Sequence, residues 1–179
     1  MYQSLKLPPS SEKPVKLNNI DGLRSPLNCV VGNLGVPTTG SIFAVDPGVN
    51  FGITIITPDS KVNILWGTLD KHPSHAEHGL MAENLIIQLV KRYKAEKAKF
   101  VLEGAAFNKA FGQVGLAEVR QGFYAGMRKF TEEFSVVPPM TARKVVFGNG
   151  RTQAGDIWPL LNHNAADSLG LAYYGLYTM

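Results

Sequence analysis

Ser41-Ile42-Phe43-Ala44-Val45-Asp46-Pro47-Gly48-Val49-Asn50-Phe51-Gly52-Ile53-Thr54-Ile55-Ile56 is the stretch whose reading decides the fold. Ile42 to Val45 is a short apolar run of the kind that forms a buried strand. Asp46 ends it, Pro47 and Gly48 turn the chain, and Phe51 to Ile56 returns as a second strand. The result is a hairpin with one carboxylate at its lip. Read alone, Asp46 is more readily a turn former. Held at the end of a central strand, however, a carboxylate sits on a rigid element, as a metal ligand must.

Working outward, Val62 to Gly67 alternates as a third, antiparallel strand after a turn at Asp59-Ser60. Met81, Leu85, Leu89 and Tyr93 recur at near four-residue intervals and predict a helix over 76–96, with Lys91, Arg92, Lys94 and Lys97 at its C-terminal end. A fourth strand, Ala98 to Leu102, again runs into an acid, Glu103. Leu116, Val119, Phe123, Met127 and Phe130 predict a second long helix over 112–133. Phe134 to Val137 makes a fifth strand, Pro138-Pro139 forces the chain out of it, and Thr141 is expected to cap a short helical segment through Val146. Asn164-Ala165-Ala166-Asp167-Ser168-Leu169 opens an Ala-rich helix to Tyr177. Asn164 and Asp167, three apart, share one helical face. Ala165, Ala166, Gly170 and Ala172 are small enough to let that helix approach the strands carrying Asp46 and Glu103. Acids at three element ends thus suggest one site.

The chain has 179 residues, enough for one domain with a proper core and too few for two of ordinary size. Its 18 Lys and Arg against 14 Asp and Glu leave a formal charge of +4, which permits a polyanionic partner without requiring one. Cys29 is the single cysteine, so neither an intrachain disulfide nor a cysteine zinc site is available, and a reducing, cytoplasmic setting is expected. No apolar run approaches the ~18 residues of a membrane span, and no membrane partner is expected. His72, His75 and His78 stand three apart in a Pro-containing loop. Without an evident fourth ligand they read as polar surface, not as a zinc site. Residues 1–40, with Pro8, Pro9, Pro14 and Pro26 among Lys, Ser and Asn, read as an N-terminal arm, partly disordered or packed on the domain formed by 41–179. Within that arm, Leu27 to Val36 is apolar enough to add a short strand or lie across the domain edge.

The order and spacing of Asp46-Pro47-Gly48, Glu103 after a strand, the loop from Arg143 to Gly150, and Ala165-Ala166-Asp167-Ser168-Leu169 resemble the RuvC family of Holliday junction resolvases. The resemblance spans residues 41 to 177 and leaves the first forty without counterpart. It implies an α/β, RNase H-like fold, a five-stranded mixed sheet flanked by helices, in a divergent or phage member acting in a bacterial or phage-infected cell. It implies a homodimer that cuts four-way (Holliday) junctions by metal-dependent phosphodiester hydrolysis, the helix over 112–133 also packing against its partner. Two Mg2+ ions ~3.5 to 4 Å apart, replaceable by Mn2+, can activate water and stabilise the leaving oxygen. Hard ions choose oxygen ligands, and the resemblance implies that Asp46 bridges both, with Glu103 and Asp167 holding one each.

Asn164 stands where the family carries an acid or a histidine, as a weaker fourth ligand. Three readings of it stay open: a naturally adjusted site, a binding protein with damaged catalysis, or an Asp-to-Asn change made to retain substrate. The resemblance also assigns DNA contacts to Arg143 and to the neighbouring Lys144. Ala154 stands where the second functional lysine belongs, and Arg151 is the candidate substitute. Phe107 and Phe111 lie where an aromatic stacks on an unpaired base, with Lys109 beside them for a phosphate. Two further readings stay open: a branched nucleic-acid binding module without useful cleavage, and an RNase H-like nuclease acting on structured RNA or on flap and branched DNA. Asp46-Pro47-Gly48 also suits the phosphate loop of sugar-kinase and actin-like ATPases, but that fold needs two such domains.

Overall fold

The computed structural model of the chain describes residues 5–7, 13–104 and 113–178. In chain order these form β1 (Val15–Leu17), β2 (Leu27–Asn33), β3 (Ile42–Asp46), β4 (Asn50–Ile56), β5 (Lys61–Thr68), α1 (His75–Arg92), β6 (Lys99–Glu103), α2 (Gln113–Arg128), β7 (Ser135–Val137), α3 (Pro139–Phe147), α4 (Ala154–Ile157) and α5 (His163–Thr178). The hairpin from 41 to 56 lies at the heart of the sheet. Every residue of β3 is buried, and in β4 only Asn50 is exposed. Continuous burial is what strands covered on both faces require, and it explains the unbroken apolar runs.

The sheet runs β1-β2-β5-β4-β3-β6-β7, with β3, β6 and β7 parallel to one another and the remaining pairs antiparallel. It therefore has seven strands, not the expected five. The additional two come from residues 15–33, which pair outward from β5 in a register that sets Asn28 against Trp66 and Asn33 against Lys61. Without them the outer edge of β5 would present a row of unpaired backbone groups. Leu27 and Cys29 bury their side chains as they cover it.

Helices cover both faces. Phe43, Val45, Phe100 and Leu102 pack with Leu85, Ile86, Leu89, Val119, Phe123 and Met127 of α1 and α2. Ile42, Ala44 and Val101 pack with Ala165, Ala166, Leu169 and Tyr173 of α5 on the other side. Helices α1, α2 and α3 differ from expectation in their bounds, and α2 ends at Arg128 instead of 133. α1 stops at Arg92 because Lys94 takes a left-handed φ of 51°, and the Ala95 N–H turns back to the Val90 carbonyl. α3 begins with Pro139 at its first position and Pro138 as its N-cap, so Thr141 lies inside the helix; proline is preorganised for that opening position and has no N–H to satisfy.

Candidate active site

Strand periodicity places the first two acids. In β3, Phe43 and Val45 face α1 and α2, so Ile42, Ala44 and Asp46 face α5. In β6, Phe100 and Leu102 take the first direction, leaving Val101 and Glu103 on the α5 side. The two strands are parallel neighbours with Val45 beside Leu102, so Asp46 and Glu103 emerge side by side at the same sheet end. Their side chains are hydrogen-bonded to each other.

The third acid comes from α5. Asp46 pairs with Gly52 across the hairpin, and Gly52 has no side chain because the helix leaves no room for one: a Cβ there would lie 1.9 Å from the Asn164 carbonyl oxygen. This contact seats the first turn of α5 directly over the strand ends. One turn on, the Thr54 and Ser168 hydroxyls hydrogen-bond at 2.9 Å, and Ser168 also meets the Ala165 carbonyl at 2.9 Å. The neighbouring Asp167 is thereby held at the sheet end. It lines a small cavity of about 10 Å³ with Glu103, Arg143, Pro139, Ala142 and Phe147.

Electrostatics couple the group. Burial drives the Asp46 carboxyl well above its ordinary range, and the nearby charges of Glu103 and Asp167 push it further. Glu103 is raised chiefly by burial and by Asp167, against the lowering effect of its hydrogen bond to Asp46. Asp167 is raised by burial, partly offset by Arg143 and His163. Arg143 on α3 stands 3.6 Å from Asp167 Oδ1, both side chains being mostly buried. An all-oxygen donor set carrying surplus negative charge in a half-dry pocket fits a hard divalent cation better than a soft one. Among the described residues, no group of three or more His, Cys, Asp or Glu side chains stands as placed where it could hold a metal ion. Asp46 stands beside Glu103, and Asp167 is paired with Arg143.

The other candidates fall around this centre. Asn164 is half-buried and lines an adjacent groove of about 460 Å³ with Pro47, Gly48, Val49, Asn50, His75, Leu116 and His163. It does not line the cavity of Glu103 and Asp167. Lys144 and Arg151 are exposed; Lys144 lends its carbonyl to the Gly148 cap of α3, and the Arg151 N–H binds the Asn149 side chain in the next turn. Phe107, Lys109 and Phe111 lie outside the described residues. His78 is buried with Nε2 on the Asp70 carbonyl at 3.0 Å, whereas His75 opens onto the groove.

One residue was missed by sequence reasoning. Arg120 of α2 lowers the proton affinity of both Asp46 and Glu103, and its Nε is buried with no hydrogen-bond partner among the described residues. The signal was there: a lone cation next to Val119 and one turn from Leu116 and Phe123, inside an apolar stripe.

No protein-family model matches the chain, and no curated protein matches it in sequence. Solved structures do. The chain is similar to Thermus thermophilus RuvC, with a TM-score of 0.59 at 14% identity over 76% of this chain and 94% of that one. It is similar also to T. thermophilus RuvC in complex with a Holliday junction substrate, with a TM-score of 0.58 at 12% identity over 77% of this chain and 94% of that one. At such identity the likeness speaks to the fold, which is RNase H-like, with two strands more than the sequence suggested.

Proposed function

We propose that this chain is a structure-specific endonuclease that resolves branched DNA of the four-way junction type by divalent-metal-dependent phosphodiester hydrolysis, as a homodimer. The observation that carries the reading is that Asp46 and Glu103 end neighbouring parallel strands, that Glu103 and Asp167 line one small cavity, and that both act on the charge of Asp46, although the three stand 57 and 64 positions apart in sequence order. The RuvC-like fold, seen in one neighbour together with a Holliday junction, supports the choice of substrate.

Asp46, Glu103 and Asp167 would hold Mg2+, or Mn2+ in its place; when bound, the ions supply an activated water and charge relief for the leaving 3′ oxygen. The remaining work belongs to the chain. Asp46 and Glu103 must give up the proton that their mutual repulsion and burial retain, which cation binding favours. Arg143 and Arg120 approach the acids from opposite faces of the sheet, where each can meet a phosphate oxygen. Lys144 and Arg151, both exposed, extend the basic surface beyond α3, and Phe107 and Lys109 are the candidates for an unpaired base and its phosphate. The groove between Asn50, His75, His163 and Asn164 gives an adjoining nucleotide a polar place to lie. A two-fold pair of such sites would face strands of equal polarity, as matched cuts in a junction require.

Asn164 favours a second reading, a branched nucleic-acid binding module with impaired cleavage, because a neutral amide in the adjoining groove contributes less to holding a cation than a carboxylate. Cutting of a synthetic four-way junction with Mg2+ or Mn2+, by this chain and by Asn164→Asp, separates the two. The endonuclease reading expects symmetric nicks from both, with Asn164→Asp faster. Tight junction binding with no nicks from either protein establishes the binding module instead, and preference for structured RNA or flaps redirects the substrate.

A further inference from the structure

The acidic centre is opposed by two arginines that reach it from different layers. α3, on the α5 side of the sheet, brings Arg143 to within 3.6 Å of Asp167, with side-chain exposures of 20% and 23%. α2, on the opposite side, brings Arg120 close enough to act on Asp46 and Glu103, with its Nε buried and unpartnered among the described residues. A surface ion pair contributes little, but one so largely removed from water is a substantial local term. Asp167 cannot face a divalent ion and the Arg143 guanidinium at once without those two cations repelling each other.

Resting on the nuclease reading above, we propose that Arg143 is a placeholder for the metal: in the substrate-free protein its guanidinium supplies the positive charge that Asp167 needs, and on docking of branched DNA it transfers to a backbone phosphate and frees the carboxylate for a divalent ion. Cation uptake is thereby tied to the presence of substrate. An idle nuclease with a preloaded centre would cut any strand that drifted past, and this exchange withholds the ion until a phosphate offers the arginine a better partner. Guanidinium suits the task because its planar fork matches carboxylate and phosphate alike and it cannot lose its charge by deprotonation. Arg120 keeps Asp46 and Glu103 partly compensated during the exchange.

The test reads metal binding in the absence of nucleic acid, by the loss of free Mn2+ signal in electron paramagnetic resonance on the full chain. Arg143→Gln should bind Mn2+ about tenfold more tightly than the parent, and Arg143→Lys, which keeps the charge, should stay near it. Anisotropy in EDTA should show the opposite order for junction DNA, Arg143→Gln binding several-fold more weakly. Arg143→Gln lowers thermal stability under either reading, whereas an arginine that merely ties α3 to α5 would leave Mn2+ affinity unchanged or reduced, which overturns the proposal. Asp167→Asn separates the two levels. If it weakens Mn2+ binding while Arg143→Gln fails to strengthen it, the placeholder alone is refuted. If Asp167→Asn binds Mn2+ like the parent, or if no variant binds measurably, the carboxylate centre falls and the placeholder with it.

Discussion

The two faces of the sheet are built by different means. On one, α1 and α2 cover β3 and β6 with large side chains, Leu85, Leu89, Phe123 and Met127 among them, and their mutual approach is so close that a Cβ on Gly122 would meet the Gly79 carbonyl oxygen at 2.0 Å. On the other, α5 comes down on the strands through Ala165, Ala166, Ser168 and the void at Gly52. Large residues on the first face bury area and hold the fold. Small residues on the second let a helix terminus reach the strand ends, and all three acids emerge there. The lesson lies in where the close contact falls: backbones meet on both faces, but only the approach at Gly52 lies at the strand end that carries Asp46.

That contrast can be broken from either side. The largest effect is expected from Asp46→Asn, which should reduce metal-dependent junction cutting on the order of a thousandfold while leaving the metal-free melting temperature at neutral pH unchanged or raised, since it removes a buried charge set against Glu103. Activity lost together with stability would mean that Asp46 is structural. Phe123→Ala, on the other face, should behave in the inverse way, costing ~3 to 5 kcal/mol in denaturant unfolding with Mn2+ affinity preserved in the molecules that remain folded. Gly52→Ala bridges the two faces. A methyl group there must lift α5, so we expect ~2 to 3 kcal/mol of destabilisation together with weakened Mn2+ binding. A folded Gly52→Ala protein with parental metal affinity would show that the first turn of α5 does not set the site.

The smallest effect is a pH dependence. Asp46 and Glu103 hold protons more tightly folded than unfolded, so above the ordinary carboxylate range the folded state binds more protons and stability falls as pH rises through their folded values. In EDTA the melting temperature should therefore decline from mildly acidic toward neutral pH. Mg2+ should reverse part of that decline, and Asp46→Asn should flatten it. A metal-free protein that gains stability over the same interval contradicts the paired-acid account.

Much of this second face was legible in the sequence, because an apolar run of strand length bounded by turn residues sets the acid that closes it at the end of a strand. Asp46 and Glu103 could be placed at strand ends in this way, and Asp167 near the start of an Ala-rich helix. Gly52 carried a readable sign too, since a glycine inside a strand marks a close backbone approach. The outer strands were harder: residues 15–17 and 27–33 take strand form by pairing onto the edge of β5, and their Lys, Asn and Gly content shows only a weak preference of its own. Arg120 was hidden by the apolar stripe around it. The separation of Asn164 from the cavity of Glu103 and Asp167 depends on how the first turn of α5 is rotated over Gly52, which three-residue spacing does not determine.

The central claim is that Asp46, Glu103 and Asp167 form one pocket for divalent ions. The most direct test is a crystal of the chain grown with junction DNA, chilled and soaked briefly in Mn2+, with data collected for anomalous scattering. The account predicts an anomalous peak within coordination distance, about 2.0 to 2.6 Å, of oxygens from Asp46 and at least one of Glu103 and Asp167. Peaks confined to the histidines of the neighbouring groove, with the three carboxylates bare, would contradict it.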